Sequence, residues 1–555
     1  MIKLKPLRKP VSMGLSLLLA FSLAIPVSAQ HSNSSTIDMK SGLAEVTTSK
    51  VNAKLTKEFE GSEYVTYLVK MKEQVDTAAV SKQAMEKATI AKETPSATKL
   101  SVRNSVVSSL RETASRTQYA IEHYLEKEID LGKVKEYKSY FIVNSLAVTS
   151  TKEVMEQIAS LPEVEKILPN ETRYLQKAEP SKQSATLPPA KDATQSPAKE
   201  PAVNEPSTKG SASQGSAAST KEADSNVKKQ TENVEWNIDY INAPAVWERG
   251  IDGTGIVVAN LDSGVDYTHP ALRSKWRGLD ASGNVADPEL SWYDPHSGAA
   301  LPADEDGHGT HTMGTMVGSE ADGSNQIGVA PGAKWIGVRI FNPETTDAII
   351  LDGGQWLIAP VDAEGNLHPE LAPDVVNNSW GGGAGLDEWF RPMVQAWRDA
   401  QIFPEFSAGN VRLTNPGGPG SVANPANYPE SFATGATDIN GNLASFSLLG
   451  PSPYDEIKPE VSAPGVNIRS AVPGGTYEGG WNGTSMAGPH TTALAALLLQ
   501  ANHSLNVDQL EQIIMDTATP RTDSQYPVSP NNGYGHGIIN ALDAVGSVLE
   551  GVGTV

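Results

Sequence analysis

Four short stretches carry residue types that together can cut an acyl bond. Ser485 lies in Trp481–Gln500, read WNGTSMAGPHTTALAALLLQ, where a Gly-Thr-Ser turn runs into an Ala/Leu-rich segment. That pattern predicts a buried helix opening at Ser485, with Pro489 in a first turn that tolerates its missing N–H. Free N–H groups and the positive end of the helix dipole then face whatever approaches the hydroxyl. A serine nucleophile needs a base, and the base needs an orienting acid. His308, in DGHGTHT, supplies the base, and Asp262, in LDSGVD, the carboxylate. Asn410, in SAGN, adds an amide able to donate to an oxyanion. Taken singly, each residue has a plainer use. Ser485 can cap its helix; Asp262 and Asn410 can shape turns. His308 can sit in a surface loop or share a metal with His311, although no zinc-protease pattern of two histidines flanking a glutamate is present. Taken together, the order Asp…His…Ser and four agreeing motifs favour a nucleophilic triad.

Such a site needs the ends of regular elements to hold it. Ile256–Leu261 is a nearly continuous apolar run, as in a strand buried on both faces of a parallel sheet. Asp262 closes that strand, and open α/β sheets build their sites at carboxyl ends. Trp335–Phe341, Asp374–Asn378 and Ile402–Ser407 read as further strands; His311–Val317, Ala348–Leu357 and Glu388–Ala400 read as helices between them. The alternation predicts one α/β domain over Val234–Val555, with a doubly wound, mostly parallel sheet. Val361–Pro373 reads as a polar insertion ahead of the Asp374 strand.

A smaller α+β domain is predicted over Ser62–Leu175. Tyr64–Val69 alternates like a strand. Gln83–Glu128 is polar, with Val106, Leu110, Ile121 and Leu125 at helical intervals. Ser139–Val148 returns to strand composition, Thr151–Leu161 is helical, and Val164–Leu168 closes the unit as a strand. Gln176–Asn233, rich in Pro, Ser, Ala and Lys, reads as a linker open to proteolytic nicking. Met1–Ala29 has the charged start, apolar run and small-residue end of a secretory signal. A secreted, extracellular protein is therefore expected.

Composition narrows the classes further. The 555 residues contain no cysteine, which excludes disulfides, thiolate metal sites and a cysteine nucleophile. The net charge is -21, and from Val234 onward 38 acidic residues face 12 basic ones. Nucleic-acid binding needs a basic face, so none is expected. The acidic surface suits bound cations or plain solubility.

The four motifs, with NNSWGGG at Asn377–Gly383 and GHGIINA at Gly535–Ala541, resemble those of the subtilisin-like serine proteases. The resemblance runs over Val234 to about Leu549, and the Ser62–Leu175 domain is similar to the family's inhibitory propeptide. It implies a serine endopeptidase made as an autoinhibited precursor, with its own propeptide as intramolecular inhibitor. It also implies attack by Ser485, proton transfer by His308, orientation by Asp262, and an oxyanion held by Asn410 and the Ser485 N–H. Ser379, Trp380, Gly381 and Gly382 would pair with extended substrate, and Ser407, Ala408 and Gly409 would border the pocket. No cofactor is implied for catalysis. Structural calcium is common in the family, and Asp304, Glu305, Asp306, Glu320 and Asp322 carry oxygens of the right kind. The stretch GSEADGSNQIGVAPGA does not reproduce the family's calcium loop, so no ligands are assigned. Two other classes compete: an inactive protease fold used for binding, and a metal-dependent hydrolase built on His308 and His311. Labelling by a serine-directed reagent, set against loss of activity in chelator, separates them.

Overall fold

The computed structural model describes residues 49–175 and 233–552. The predicted signal and almost all of the predicted linker lie outside them. Before the linker come α1 (Ala53–Gly61), β1 (Val65–Met71), α2 (Thr77–Ala91), α3 (Pro95–Asp130), β2 (Val134–Tyr140), β3 (Ser145–Ser150), α4 (Lys152–Ala159), β4 (Val164–Pro169) and β5 (Thr172–Tyr174). Four of these strands form an antiparallel sheet in the order β2-β3-β1-β4. The predicted strand over Ser139–Val148 is instead the end of β2, a turn and most of β3. Asn144 makes that turn possible: its side chain donates to Glu73 O and Thr117 Oγ1. The polar helical stretch is two helices, broken where Thr94 caps the second and Pro95 supplies its first residue.

Helix α3 is 36 residues long, about 54 Å at 1.5 Å per residue, and it serves two cores. Ile121 and Leu125 pack with Tyr67, Val69 and Val148 inside the small sheet's own cluster. Val102, Val106 and Leu110 belong to a different cluster, with Trp356, Met393 and Trp397 of the large domain. Apolar spacing alone does not reveal that the two stripes have different partners.

After the linker the elements are α5 (Trp236–Tyr240), α6 (Ala243–Trp247), β6 (Val257–Asp262), β7 (Trp292–Tyr293), α7 (His308–Val317), β8 (Lys334–Arg339), β9 (Glu344–Thr346), α8 (Asp347–Ile358), β10 (Val375–Asn378), α9 (Arg391–Asp399), β11 (Phe403–Ser407), β12 (Phe432–Thr437), β13 (Val461–Pro464), β14 (Ile468–Val472), β15 (Thr476–Trp481), α10 (Thr484–Ala501), α11 (Val507–Asp516) and α12 (Ala541–Val552). Seven strands form a parallel sheet in the order β13-β12-β11-β10-β6-β8-β7. From β6 the chain goes out to the edge strand β7 and comes back to β8 beside β6, then crosses to lay down β10 to β13 on the other side. The switch point lies between β6 and β10, where open α/β sheets leave a crevice at their carboxyl ends. Asp262 ends β6 beside it, and Ser379 follows β10.

Helix α10 crosses this sheet, and every residue from Thr484 to Leu499 is buried. A helix enclosed on all sides is apolar all round, which explains the Ala/Leu run. Pro489 is its sixth residue, not part of the first turn. Its missing N–H leaves the Ser485 carbonyl without an intrahelical donor. Ser379 Oγ donates to that carbonyl at 3.0 Å, so the helix continues through the proline.

Candidate active site

Each loop of the site is shaped by a close approach. A Cβ on Gly309 would lie 2.1 Å from the Gly264 carbonyl oxygen, and one on Gly264, at φ +114, would lie 1.9 Å from that of Ala303. The glycines of LDSG and DGHG therefore let the two loops touch, bringing Asp262 and His308 together. His308 begins α7, earlier than the predicted start at His311. Its Nδ1 is 2.8 Å from Asp262 Oδ1, with both side chains almost fully buried. Asp262 Oδ1 also accepts from the Ser263 N–H at 2.7 Å.

Two supporting groups have roles that the sequence does not assign. Asp304 Oδ1 accepts from Ser263 Oγ at 2.9 Å and the Gly307 N–H at 2.9 Å, while its Oδ2 accepts from the Thr310 N–H and hydroxyl. This buried carboxylate pins the Asp262 loop to the start of α7. Its oxygens face N–H and O–H donors, which does not suit a cation ligand. Glu305 pairs with Arg339, Glu320 accepts from Asn325 and Tyr477, and Asp322 caps a turn through Ser324. Among the described residues no group of three His, Asp or Glu side chains is placed to hold a metal. His311 stacks on Trp481 at 4.4 Å, and burial pushes its imidazole down to about 3.

The second support is a buried relay. Asn260 Nδ2 donates to Gly309 O and Thr312 Oγ1 on α7, and Asn260 Oδ1 accepts from Asn377 Nδ2 at 3.0 Å. Asn377 Nδ2 also donates to Ser379 Oγ, which in turn donates to Ser485 O. One chain of hydrogen bonds thus links the helix of His308 to the helix of Ser485. Asn260 interrupts an otherwise apolar strand, the one signal in the sequence that could have found it.

Ser485 is the second residue of α10, and Gly483 occupies the capping position. Its hydroxyl donates to Ser379 O at 3.4 Å. Asn410 Oδ1 accepts from the Thr484 N–H at 2.9 Å, which orients the amide. A Cβ placed on Gly483 would lie 3.6 Å from both Asn410 Nδ2 and the Ser485 nitrogen, so both donors border one small space. The other expected contacts divide. Ser407 Oγ donates to Thr484 O, and the Gly409 N–H donates to Thr484 Oγ1, so both brace the turn before Ser485. Ala408 and Trp380 are buried, with the Trp380 ring edge-on to Phe390 and Phe406. Gly381 follows them, and the Gly382 N–H donates to Asn424 O at 2.7 Å.

Residues 253–537 match the subtilase family. The chain belongs to that family. Subtilases are serine endopeptidases, and the Asp/His/Ser triad is typical of them. Residues 66–176 match the peptidase inhibitor I9 family, so this subtilase carries a propeptide-type inhibitor unit ahead of the protease. It is 52% identical over 98% of its length to bacillopeptidase F of Bacillus subtilis (strain 168), but spans only 36% of that protein. It is 33% identical to an alkaline protease of Alkalihalobacillus alcalophilus, over 58% of this chain and 72% of that one. Subtilisin E of Bacillus subtilis (strain 168) is 32% identical over 56% of this chain and 71% of its own.

One buried acid of this subtilase lies close beneath the site. Glu405, on β11, touches α10 one turn past Ser485: a Cβ on Gly488 would lie 2.4 Å from Glu405 Oε1. Burial pushes its carboxyl well above the usual range. The neutral form is the stable one, so its contribution is full below the unfolded pKa and is lost as pH rises toward the folded pKa. Glu405→Gln is therefore expected to gain thermal stability relative to wild type as pH rises from about 5 to about 9. Melting temperatures of sulfonyl-inactivated protein test this, and a constant difference across that range rejects it.

Proposed function

We propose that this subtilase is a secreted endopeptidase that hydrolyses peptide bonds of proteins through an acyl-enzyme. Ser485 Oγ attacks the carbonyl, and His308 takes its proton and passes it to the leaving amine. Asp262 holds the imidazole and balances the charge of the imidazolium. Asn410 Nδ2 and the Ser485 N–H receive the oxyanion. The observation that carries the reading is the 2.8 Å His308–Asp262 contact at the sheet's switch point, tied by hydrogen bonds to the helix of Ser485. Labelling of the processed protein by a serine-directed phosphonate, with Ser485→Ala as control, tests it. Asn410→Ala is expected to lower kcat by about 10²–10³ with little change in KM, the magnitude known from subtilisin, because the amide acts mainly in the transition state. An unchanged kcat removes Asn410 from the oxyanion site.

The early unit, by the same reading, assists folding and blocks the cleft until the linker is cut. No helix among the described residues is long and apolar enough to cross a membrane, and export rests on the Met1–Ala29 signal. The early unit docks on the protease through Arg103 of α3, at the amino ends of β10 and β11. Its guanidinium donates to Ala372 O at 2.9 Å, Pro373 O at 2.5 Å and Ala400 O at 3.1 Å, and the side chain is buried. Beside it Lys99 Nζ meets Asp374 Oδ1 at 2.5 Å. Removing one partner of a buried charged contact costs about 2–5 kcal/mol. An Arg103→Ala early unit added in trans is therefore expected to inhibit the processed enzyme about 30-fold more weakly or worse. Equal inhibition constants exclude Arg103 as an anchor, and equal yields of active Val234–Val555 with and without the wild-type unit exclude a folding role.

A further inference from the structure

Strand β5, the last described segment of the early unit, lies antiparallel on β9, with Thr172 opposite Thr346 and Tyr174 opposite Glu344. It adds to the protease as an extended peptide adds to an exposed edge. At its centre Arg173 enters a site made by the protease. Its Nε lies 2.7 Å from Asp347 Oδ1 and its Nη2 3.1 Å from Asp347 Oδ2, the two-point geometry suited to a guanidinium. Asp387 Oδ2 lies 3.6 Å from the same Nη2. The Asp347 side chain is only 4% exposed, and Arg173 is its cationic partner among the described residues. Burial pushes the Asp347 carboxyl up to about 6, and Arg173 opposes that shift. With β5 in place this acid is closed off from water, so the side chain that fills the site has to supply its countercharge.

The site lies a short distance along the cleft from the nucleophile. Ser485 Oγ bonds to Ser379 O, and three residues further on a Cβ at Gly382 would lie 3.5 Å from Arg173 Nη1. Three extended residues span about 10 Å. A peptide whose carbonyl reaches Ser485 therefore presents the residue about three positions earlier to Asp347.

We propose that Asp347 and Asp387 form a subsite selecting a basic side chain, arginine above all, about three residues before the one whose carbonyl is attacked. The inference rests on the endopeptidase reading and names its preferred substrates: proteins with an arginine at that distance before the cut. The tail of the early unit satisfies the same subsite through Arg173. An apolar side chain there leaves Asp347 buried without its partner.

The test uses internally quenched peptides, identical except for Arg, Lys, Leu or Glu at each of the second, third and fourth positions before the cut. Full-length protein that has undergone its own processing is the enzyme, with active sites counted by phosphonate labelling. Arginine is expected to exceed leucine in kcat/KM by about 10- to 100-fold at one of these positions, with glutamate lowest. That ratio is expected to collapse toward unity in Asp347→Leu, made together with Arg173→Leu so that tail and subsite still match. It should shrink in Asp387→Asn, whose partly exposed position keeps the fold out of question. Arginine and leucine within twofold of each other at all three positions, in enzyme that labels and cuts, overturn the subsite alone. So does a wild-type preference that survives in both variants. A protein that neither labels nor cuts any peptide overturns the endopeptidase reading, and the subsite with it.

Discussion

Peptide hydrolysis is expected to fall about 10⁶-fold when Ser485 becomes alanine, the size of the loss known for subtilisin. The structure separates this residue from the plainer role of a helix cap. Gly483 stands at the capping position, and Ser485 is already inside α10. Its one hydroxyl contact among the described residues is the 3.4 Å bond to Ser379 O, at the outer edge of hydrogen-bond length. Little stability is therefore lost with the hydroxyl, and Ser485→Ala should melt within a few degrees of wild type. The measurements are residual kcat/KM, phosphonate labelling and the melting temperature, made on one preparation. Turnover retained in clean Ser485→Ala protein would place the nucleophile elsewhere. The same variant reports on maturation. If the enzyme cuts its own linker, the purified variant stays full length, and normal processing would point to a second protease.

The residues proposed to do chemistry are legible because such chemistry restricts residue types locally. An acid at the end of an apolar strand, a histidine between glycines and a serine opening a buried helix are each visible within ten residues of chain. What lies behind them is not. Asp304 looks like one of three acids in a loop, and only the fold shows its oxygens spent on Ser263, Gly307 and Thr310. The Asn260–Asn377 relay joins residues 117 apart in sequence, a distance no periodicity spans. Strands β12 and β13 give no strand signal because FATGAT and VSAP are rich in small residues, which suit strands packed beneath α10. The position of Pro489 beyond the first turn is not legible, because the group that satisfies the carbonyl it frees, Ser379, is distant in sequence. The Arg173–Asp347 contact is not legible in the sequence for a related reason. Asp347 reads as a favourable acid at a helix N-terminus, and only the β5–β9 pairing brings Arg173 to it.

Asp262→Asn is expected to cost about 10⁴ in kcat/KM, near the loss known for the corresponding acid in subtilisin, with KM changed far less. The hydrogen bonds around Asp262 say how. One oxygen, Oδ1, accepts from both the Ser263 N–H and His308 Nδ1. An asparagine that turned its NH₂ to that point would set two donors against each other at the Ser263 N–H. The amide oxygen is therefore expected to stay there, so that Nδ1 keeps its proton and Nε2 remains the acceptor. The tautomer survives, and what disappears is the negative charge. The imidazolium formed as His308 takes the serine proton then faces a neutral amide in a site closed to water, where the missing charge is felt most. Nitrogen chemical shifts of labelled His308 distinguish this from the alternative in which the amide flips and the proton moves to Nε2. A loss below about tenfold with either tautomer would mean that Asp262 holds His308 in place without helping it take the proton.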